Sequence, residues 1–195
     1  MKIGILALQG DFAEHTATLK KIGVETRLVR LADHLENLDG LIIPGGESTT
    51  IGKLAEDYQL IEPIREFGKQ HAIWGTCAGA ILLSKDARRL QPLLQLMDIT
   101  VERNAFGRQV ASFEIDIEVP VFAELDPNDS HPFHAVFIRA PLIESVAGST
   151  MVLSTLPDGQ IVAAQQGKLL ATSFHPELTP DDRFHRYFIK IAKRK

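Results

Sequence analysis

The sequence predicts an α/β fold: a three-layer open, mostly parallel sheet with flanking helices and an added β-rich segment in the middle of the chain. Three observations carry this. The chain opens on a near-continuous apolar run, Ile3-Gly4-Ile5-Leu6-Ala7-Leu8, of the kind that strands buried on both faces require. By Ile43 the pattern has gone through strand, helix, strand, turn and strand, the opening of a βαβ-type sheet. From Ile99 to Val121, β-type alternation replaces helical spacing.

Taken in order, the first run is broken by Gln9-Gly10-Asp11. Residues 12–22 then show helical spacing through Phe12, Thr16, Leu19 and Ile22, closed by Gly23 as a C-cap. Residues 24–29 alternate as a second strand. After a polar connection, Gly40-Leu41-Ile42-Ile43 is a third strand, stopped by Pro44. Pro44-Gly45-Gly46-Glu47-Ser48 leads into a helix over 51–58, and Ile61, Ile64, Arg65 and Phe67 mark another. Ala72-Ile73-Trp74 is a short buried strand, and the small-to-aliphatic run from Ala78 to Leu83 starts a helix. Residues 113–119 and 135–138 read as strands. Residues 151–156 and 161–164 form a hairpin around Pro157-Asp158-Gly159. A last apolar strand, 169–174, ends at His175-Pro176-Glu177, and a helix over 181–193 finishes the chain.

A length of 195 residues suits one domain spanning 1–195. The composition, 45% hydrophobic and 24% charged, is that of an ordinary globular chain. A net charge of −4 and a pI near 6.0 leave no basic footprint, which argues against nucleic acid as a partner. No apolar run approaches the ~18 residues of a membrane span. The single cysteine cannot form an intrachain disulfide, and the start of the chain carries no secretory pattern. These features predict a cytoplasmic, reducing setting in which a thiol stays reactive.

That cysteine, Cys77, sits in Gly75-Thr76-Cys77-Ala78-Gly79, where the buried strand meets the following helix. A nucleophile on such a tight turn needs small neighbours, so the stretch reads as a nucleophile elbow bearing sulfur. A position at a helix N-terminus beside an imidazole favours the thiolate. Of seven histidines, His15, His34, His71 and His185 read as solvated or partly packed, and His131 and His134 are weak candidates. His175 differs, because it stands where a buried strand ends, the place where open α/β sheets collect their chemistry. If the backbone stays extended past Pro176, His175 and Glu177 project from one side with Cα atoms roughly 6–7 Å apart. The carboxylate then fixes the imidazole tautomer, giving Cys77 as nucleophile, His175 as base and Glu177 as orienter. Acyl transfer also needs oxyanion donors, and the N–H of Ala78 with one from Gly45-Gly46 would supply them.

The motifs Pro44-Gly45-Gly46-Glu47-Ser48, Gly75-Thr76-Cys77-Ala78-Gly79 and His175-Pro176-Glu177, in this order, resemble the class I, triad-type glutamine amidotransferases. Four further stretches make the resemblance run from end to end. They are Ala7-Leu8-Gln9-Gly10, Val101-Glu102-Arg103-Asn104-Ala105-Phe106-Gly107-Arg108-Gln109, Phe137-Ile138-Arg139-Ala140-Pro141 and Ala171-Thr172-Ser173-Phe174. With these the sequence is similar to the glutaminase subunits of pyridoxal 5′-phosphate synthases.

The resemblance implies a flavodoxin-like sheet and hydrolysis of L-glutamine through a glutamyl thioester on Cys77. It also implies ammonia delivery to a separate (β/α)₈-barrel synthase subunit in a hetero-oligomer. L-glutamine would be held by Gly46, Glu47, Ser48, Arg103, Ile138 and Arg139. A zwitterionic substrate needs a cation for its α-carboxylate, from Arg103 or Arg139, and acceptors for its ammonium, from Glu47 or backbone carbonyls. Gln9 would set the oxyanion loop or meet the synthase, and Arg108 would belong to the interface or to local packing. No cofactor and no metal are expected, since the sequence has no Walker loop, no G-x-G-x-x-G after the first strand and no metal-ligand spacing. Three other readings compete: a glutaminase for a different synthase (imidazole-glycerol-phosphate), a non-catalytic subunit that keeps the fold, and a cysteine hydrolase acting on peptides or glyoxals.

Overall fold

The computed structural model describes residues 1–103 and 112–194. The first half runs β1 (Lys2–Leu6), α1 (Phe12–Lys21), β2 (Glu25–Val29), β3 (Gly40–Ile43), α2 (Ser48–Asp57), α3 (Ile61–Gly68), β4 (Ala72–Thr76) and α4 (Ala78–Leu83). The short β5 (Ser84–Asp86) then leads to β6 (Met97–Glu102), β7 (Ser112–Ile117), β8 (Phe133–Ile138) and β9 (Leu142–Val146). The chain closes with β10 (Met151–Thr155), β11 (Ile161–Gln166), β12 (Leu169–Thr172) and α5 (Arg183–Lys193).

Among the described residues one sheet runs in the order β2-β1-β3-β4-β12-β11-β9-β6-β5, with β10 on β11. The strands β2, β1, β3, β4 and β12 are mutually parallel, the sheet that the apolar runs predict. Beyond β12 the pairings to β11, β9 and β6 are antiparallel, so the whole sheet is mixed. The added β-rich segment is the separate hairpin β7–β8, with Phe113 opposite Phe137.

The parallel half is buried on both faces because its strands carry apolar side chains at consecutive positions: β3, β4 and β12 have no exposed residue. On one face Ile51, Ala55, Ile64, Phe67 and Ile81 bring α2, α3 and α4 onto Leu41, Ile43 and Ile73. On the other, Leu19 of α1 and Phe184, Phe188 and Ile191 of α5 cover Ile3, Ile5, Ile42 and Trp74, joined by Phe133 and Phe137 of the hairpin. Three layers result. No helix among the described residues is long and apolar enough to cross a membrane.

Several boundaries move for local reasons. The helix read over 51–58 starts at Ser48, because the Glu47 side chain accepts the N–H groups of Thr49 and Thr50 and caps it earlier. Gly23 does close α1, at φ 77. Two strands were not legible. β5 is too short to show a period, and β9 has a single buried residue, Ile143, so it shows no alternation.

Candidate active site

The parallel topology gathers the site. β1, β3, β4 and β12 lie side by side, so the residues after their C-terminal ends, Gln9, Gly45, Cys77 and His175, meet at one edge of the sheet. The pairing Thr172↔Thr76 places the Cys77 and His175 segments next to each other, and the Cys77 N–H donates to the Thr172 carbonyl at 2.8 Å.

Cys77 has φ 48 and ψ −106, far from ordinary L-residue backbone. Such a conformation costs about 1–3 kcal/mol and persists only where the surroundings impose it. They do so here: the Cys77 carbonyl accepts the Ala80 N–H at 3.1 Å, and α4 begins at Ala78. The flanking glycines are dictated by close approach. A Cβ on Gly75 would stand 2.4 Å from the Gly79 carbonyl oxygen, and one on Gly79 would stand 2.0 Å from that of Ile43. The expected elbow is therefore formed.

His175 and Glu177 do meet, although not as an extended segment. Residues Pro176–Leu178 form a 3₁₀ turn, because proline at the first position favours a helical start. Across that turn His175 Nδ1 lies 2.7 Å from Glu177 Oε1, and the Asp11 Oδ2 carboxylate oxygen approaches the same nitrogen at 3.4 Å. The His175 backbone N–H donates to the Val136 carbonyl of β8 at 2.9 Å, which ties this histidine to the added hairpin. Burial alone would lower the basicity of His175. Hydrogen bonds to Asp11, Cys77 and Glu177, with the charge of Cys77, outweigh it and push the imidazole up to about 12. Burial raises Glu177, against the opposing pull of His175. Asp11, His175 and Glu177 offer ligand atoms within 4.8 Å of one another. Both carboxylates converge on one ring nitrogen, His175 Nδ1.

Gly46, Cys77 and Ala78 line a common cleft of about 440 Å³ with Glu47, Ser48, Arg103, Ile138 and Arg139. Gly45 packs behind it: a Cβ there would lie 2.5 Å from His175 Cε1, and its carbonyl accepts the Asp11 N–H at 3.1 Å. Gln9 braces the same loop, its Oε1 accepting the Glu47 N–H at 2.7 Å. Glu47 and Arg103 pair with each other at 2.8 Å, and Arg103 also donates to Thr49 Oγ1 at 3.1 Å. Burial would raise Glu47, but the hydroxyl and amide of Thr50, the Thr49 amide and Arg103 together hold it at about 2. Ser48 Oγ donates to Gln91 Oε1 at 3.3 Å. Residues 104–111, with Arg108 and the part of the family-specific run after Arg103, lie outside the described residues. A larger groove of about 860 Å³ between α2, α3 and residues 91–95 contains none of these catalytic candidates.

Three residues near the site escaped the sequence reading. Asp11 looked like a strand breaker. His15 and His185 read as solvated or partly packed, and the structure corrects this: both are fully buried. His15 Nδ1 lies 3.0 Å from His185 Nε2, and His15 Nε2 lies 3.2 Å from Thr76 Oγ1 and 3.4 Å from Glu177 Oε2. A signal existed, because His15 precedes Leu19 by four positions and Ile22 by seven, on the inward stripe of α1. His134, by contrast, is exposed on β8 between Glu114 and Asp116.

A family model described as the SNO glutamine amidotransferase family matches residues 5–194. A pyridoxal 5′-phosphate synthase subunit PdxT of Herpetosiphon aurantiacus is 56% identical, over 98% of this chain and 100% of its own. The subunit of the same name from Chloroflexus aurantiacus is 54% identical over the same shares. A solved structure titled glutamine amidotransferase superposes with a TM-score of 0.91 at 49% identity, covering 98% of this chain and 99% of that one.

Proposed function

This chain belongs to the SNO glutamine amidotransferase family, and from that premise we propose that Cys77, His175 and Glu177 carry out the glutamine hydrolysis of a pyridoxal 5′-phosphate synthase. The protein is a glutaminase subunit: it converts L-glutamine to L-glutamate and ammonia and feeds the ammonia to a synthase. The observation that carries the assignment of roles is the contact of His175 Nδ1 with Glu177 at 2.7 Å, beside a cysteine on a strained elbow.

The Cys77 thiolate attacks the carboxamide carbon of glutamine. The oxyanion that forms is held by backbone N–H groups of Ala78 and of the Gly45-Gly46 strand end. The His175 imidazolium gives its proton to the leaving nitrogen, so the C–N bond breaks as ammonia departs and the glutamyl thioester remains. Neutral His175 then takes a proton from water, the hydroxide attacks the thioester, and glutamate leaves as the thiolate is restored. Glu177 keeps the imidazole in the tautomer that presents Nε2 to the sulfur.

Arg103 or Arg139 receives the substrate α-carboxylate, and Glu47 or nearby carbonyls receive its ammonium. Gly46, Ser48 and Ile138 complete the cleft wall. Glutamine entering between Glu47 and Arg103 exchanges their mutual pair for pairs with the substrate. The whole of 1–195 acts as one amidotransferase domain. It docks on a (β/α)₈-barrel synthase subunit in a hetero-oligomer.

The test is ammonia release from L-glutamine by Cys77→Ala, with and without the synthase subunit. Loss of all release in a folded variant is expected, and retained hydrolysis would overturn the assignment. The wild-type subunit is expected to turn over faster when docked; equal rates would remove the partner from the reading.

A further inference from the structure

The carboxylate of Glu177 has two oxygens, and the triad uses one. Oε1 faces His175, whereas Oε2 is buried without a hydrogen bond. A buried carboxylate oxygen with no donor is costly. The polar group aimed at it is Nε2 of His15, 3.4 Å away, and both side chains are wholly inaccessible.

The tautomer of His15 follows from its other neighbour. One of the two nitrogens that meet at 3.0 Å, His15 Nδ1 and His185 Nε2, must carry the hydrogen. If His15 donated there, its bare Nε2 lone pair would face a carboxylate. If His185 donates, His15 presents Nε2–H to Glu177 Oε2 and to Thr76 Oγ1, both of which accept. The second arrangement is the one without repulsion.

We propose, on the glutaminase reading above, that His15 is a positioning residue: its Nε2–H, oriented by His185, holds the second oxygen of Glu177 and the hydroxyl of Thr76. Thr76 directly precedes the nucleophile and Glu177 orients the base, so one ring nitrogen spans both arms of the site. The resting imidazolium of His175 draws the negative charge of Glu177 toward Oε1, and the 3.4 Å contact at Oε2 is of the kind that is long in the free enzyme and tightens when substrate is bound. The ring is neutral. Burial, followed by His185 and His175, holds it well below its ordinary value, and burial holds His185 at about 4 against the pull of Asp182. Trp74 walls off the pair, edge-on to His15 at 5.6 Å and to His185 at 5.0 Å.

The groups facing this unit are Asp11 from the start of α1, Cys77 from the elbow, His175 and Glu177 from the turn, and His185 and Asp182 from α5. Without the His15 donor Glu177 takes up a proton more readily, and the acidic limb of activity moves to higher pH.

The experiment compares His15→Leu, His15→Gln and His185→Phe in the full chain with its synthase subunit. It follows kcat and KM for L-glutamine across pH, with circular dichroism to verify folding. His15→Leu is expected to lose on the order of 10–100-fold in kcat, the size of one hydrogen bond to a charged group, with KM little changed. Its acidic limb should rise. His15→Gln, whose amide N–H reaches the same place, should recover most of the rate and the limb. His185→Phe should shift both in the same direction by a smaller factor, and it carries the test if His15→Leu does not fold. A folded His15→Leu with wild-type kcat and limb would overturn the proposal, as would a folded His15→Gln no better than His15→Leu. A wild-type protein that released no ammonia would instead overturn the glutaminase reading on which the proposal rests.

Discussion

Replacing Glu47 separates the helix cap that the structure places on its carboxylate from the substrate contact proposed for it. Its oxygens accept the Thr49 N–H at 3.2 Å and the Thr50 N–H and hydroxyl at 2.7 Å each, capping α2, and pair with Arg103 at 2.8 Å. Together these hold Glu47 at about 2 rather than 4.5. At about 1.4 kcal/mol per pH unit, that difference corresponds to roughly 3 kcal/mol. The side chain is 41% exposed, so solvent screening reduces this to about 1–2 kcal/mol, the range of a good N-cap. The sign follows from linkage. A carboxylate depressed on folding stabilises above its unfolded value, and that contribution is lost as pH falls from 4.5 through about 2. Urea denaturation near neutral pH should therefore show Glu47→Ala about 1–2 kcal/mol less stable than wild type. Glu47→Gln, which keeps an acceptor and loses the charge, should fall between the two. The gap between wild type and Glu47→Gln should close toward pH 2. A Glu47→Ala midpoint equal to wild type, or a gap independent of pH, would refute the argument that this carboxylate caps the helix. A raised KM for glutamine in both variants would support the substrate contact proposed for it.

Three further outcomes follow from individual contacts. Gly79→Ala places a Cβ 2.0 Å from a backbone oxygen that cannot retreat, so a thermal melt should show a loss of at least ~2 kcal/mol and ammonia release should collapse. Asp11→Asn removes one of the groups that keep His175 protonated; the alkaline limb of kcat/KM should move to lower pH, and an unmoved limb would discount the 3.4 Å contact. His134 is raised above 6.5 by its hydrogen bonds to Glu114 and then Asp116, so its stabilisation is complete below 6.5 and lost as pH rises through the raised value. The denaturation midpoint of wild type should accordingly exceed that of His134→Ala at about pH 5.5 and match it at about pH 9, whereas equal gaps at both would contradict the cluster.

Much of the site was legible because its signals are local. Cys77 stands between glycines at a strand end, and the glycines are there because 2.0 and 2.4 Å approaches leave no room for a side chain. His175 and Glu177 are two residues apart, so almost any backbone brings them within reach; the 3₁₀ turn changed the path and not the contact. Buried parallel strands announce themselves through consecutive apolar residues, and β1, β3, β4 and β12 were all read that way.

The sequence by itself determined the parallel half of the sheet, the elbow and the residues proposed as nucleophile, base and orienter, since each rests on a short local stretch of the chain. Only the tertiary structure decided what surrounds them. His15 and His185 meet across 170 positions, and a histidine on an amphipathic helix looks solvated until the element covering its face is known. Asp11 reaches His175 because β1 and β12 share one edge of the sheet, a fact of strand order. The pairing of Glu47 with Arg103 joins a helix cap to the end of an antiparallel strand. Such contacts between distant segments are set by topology, which no local spacing encodes.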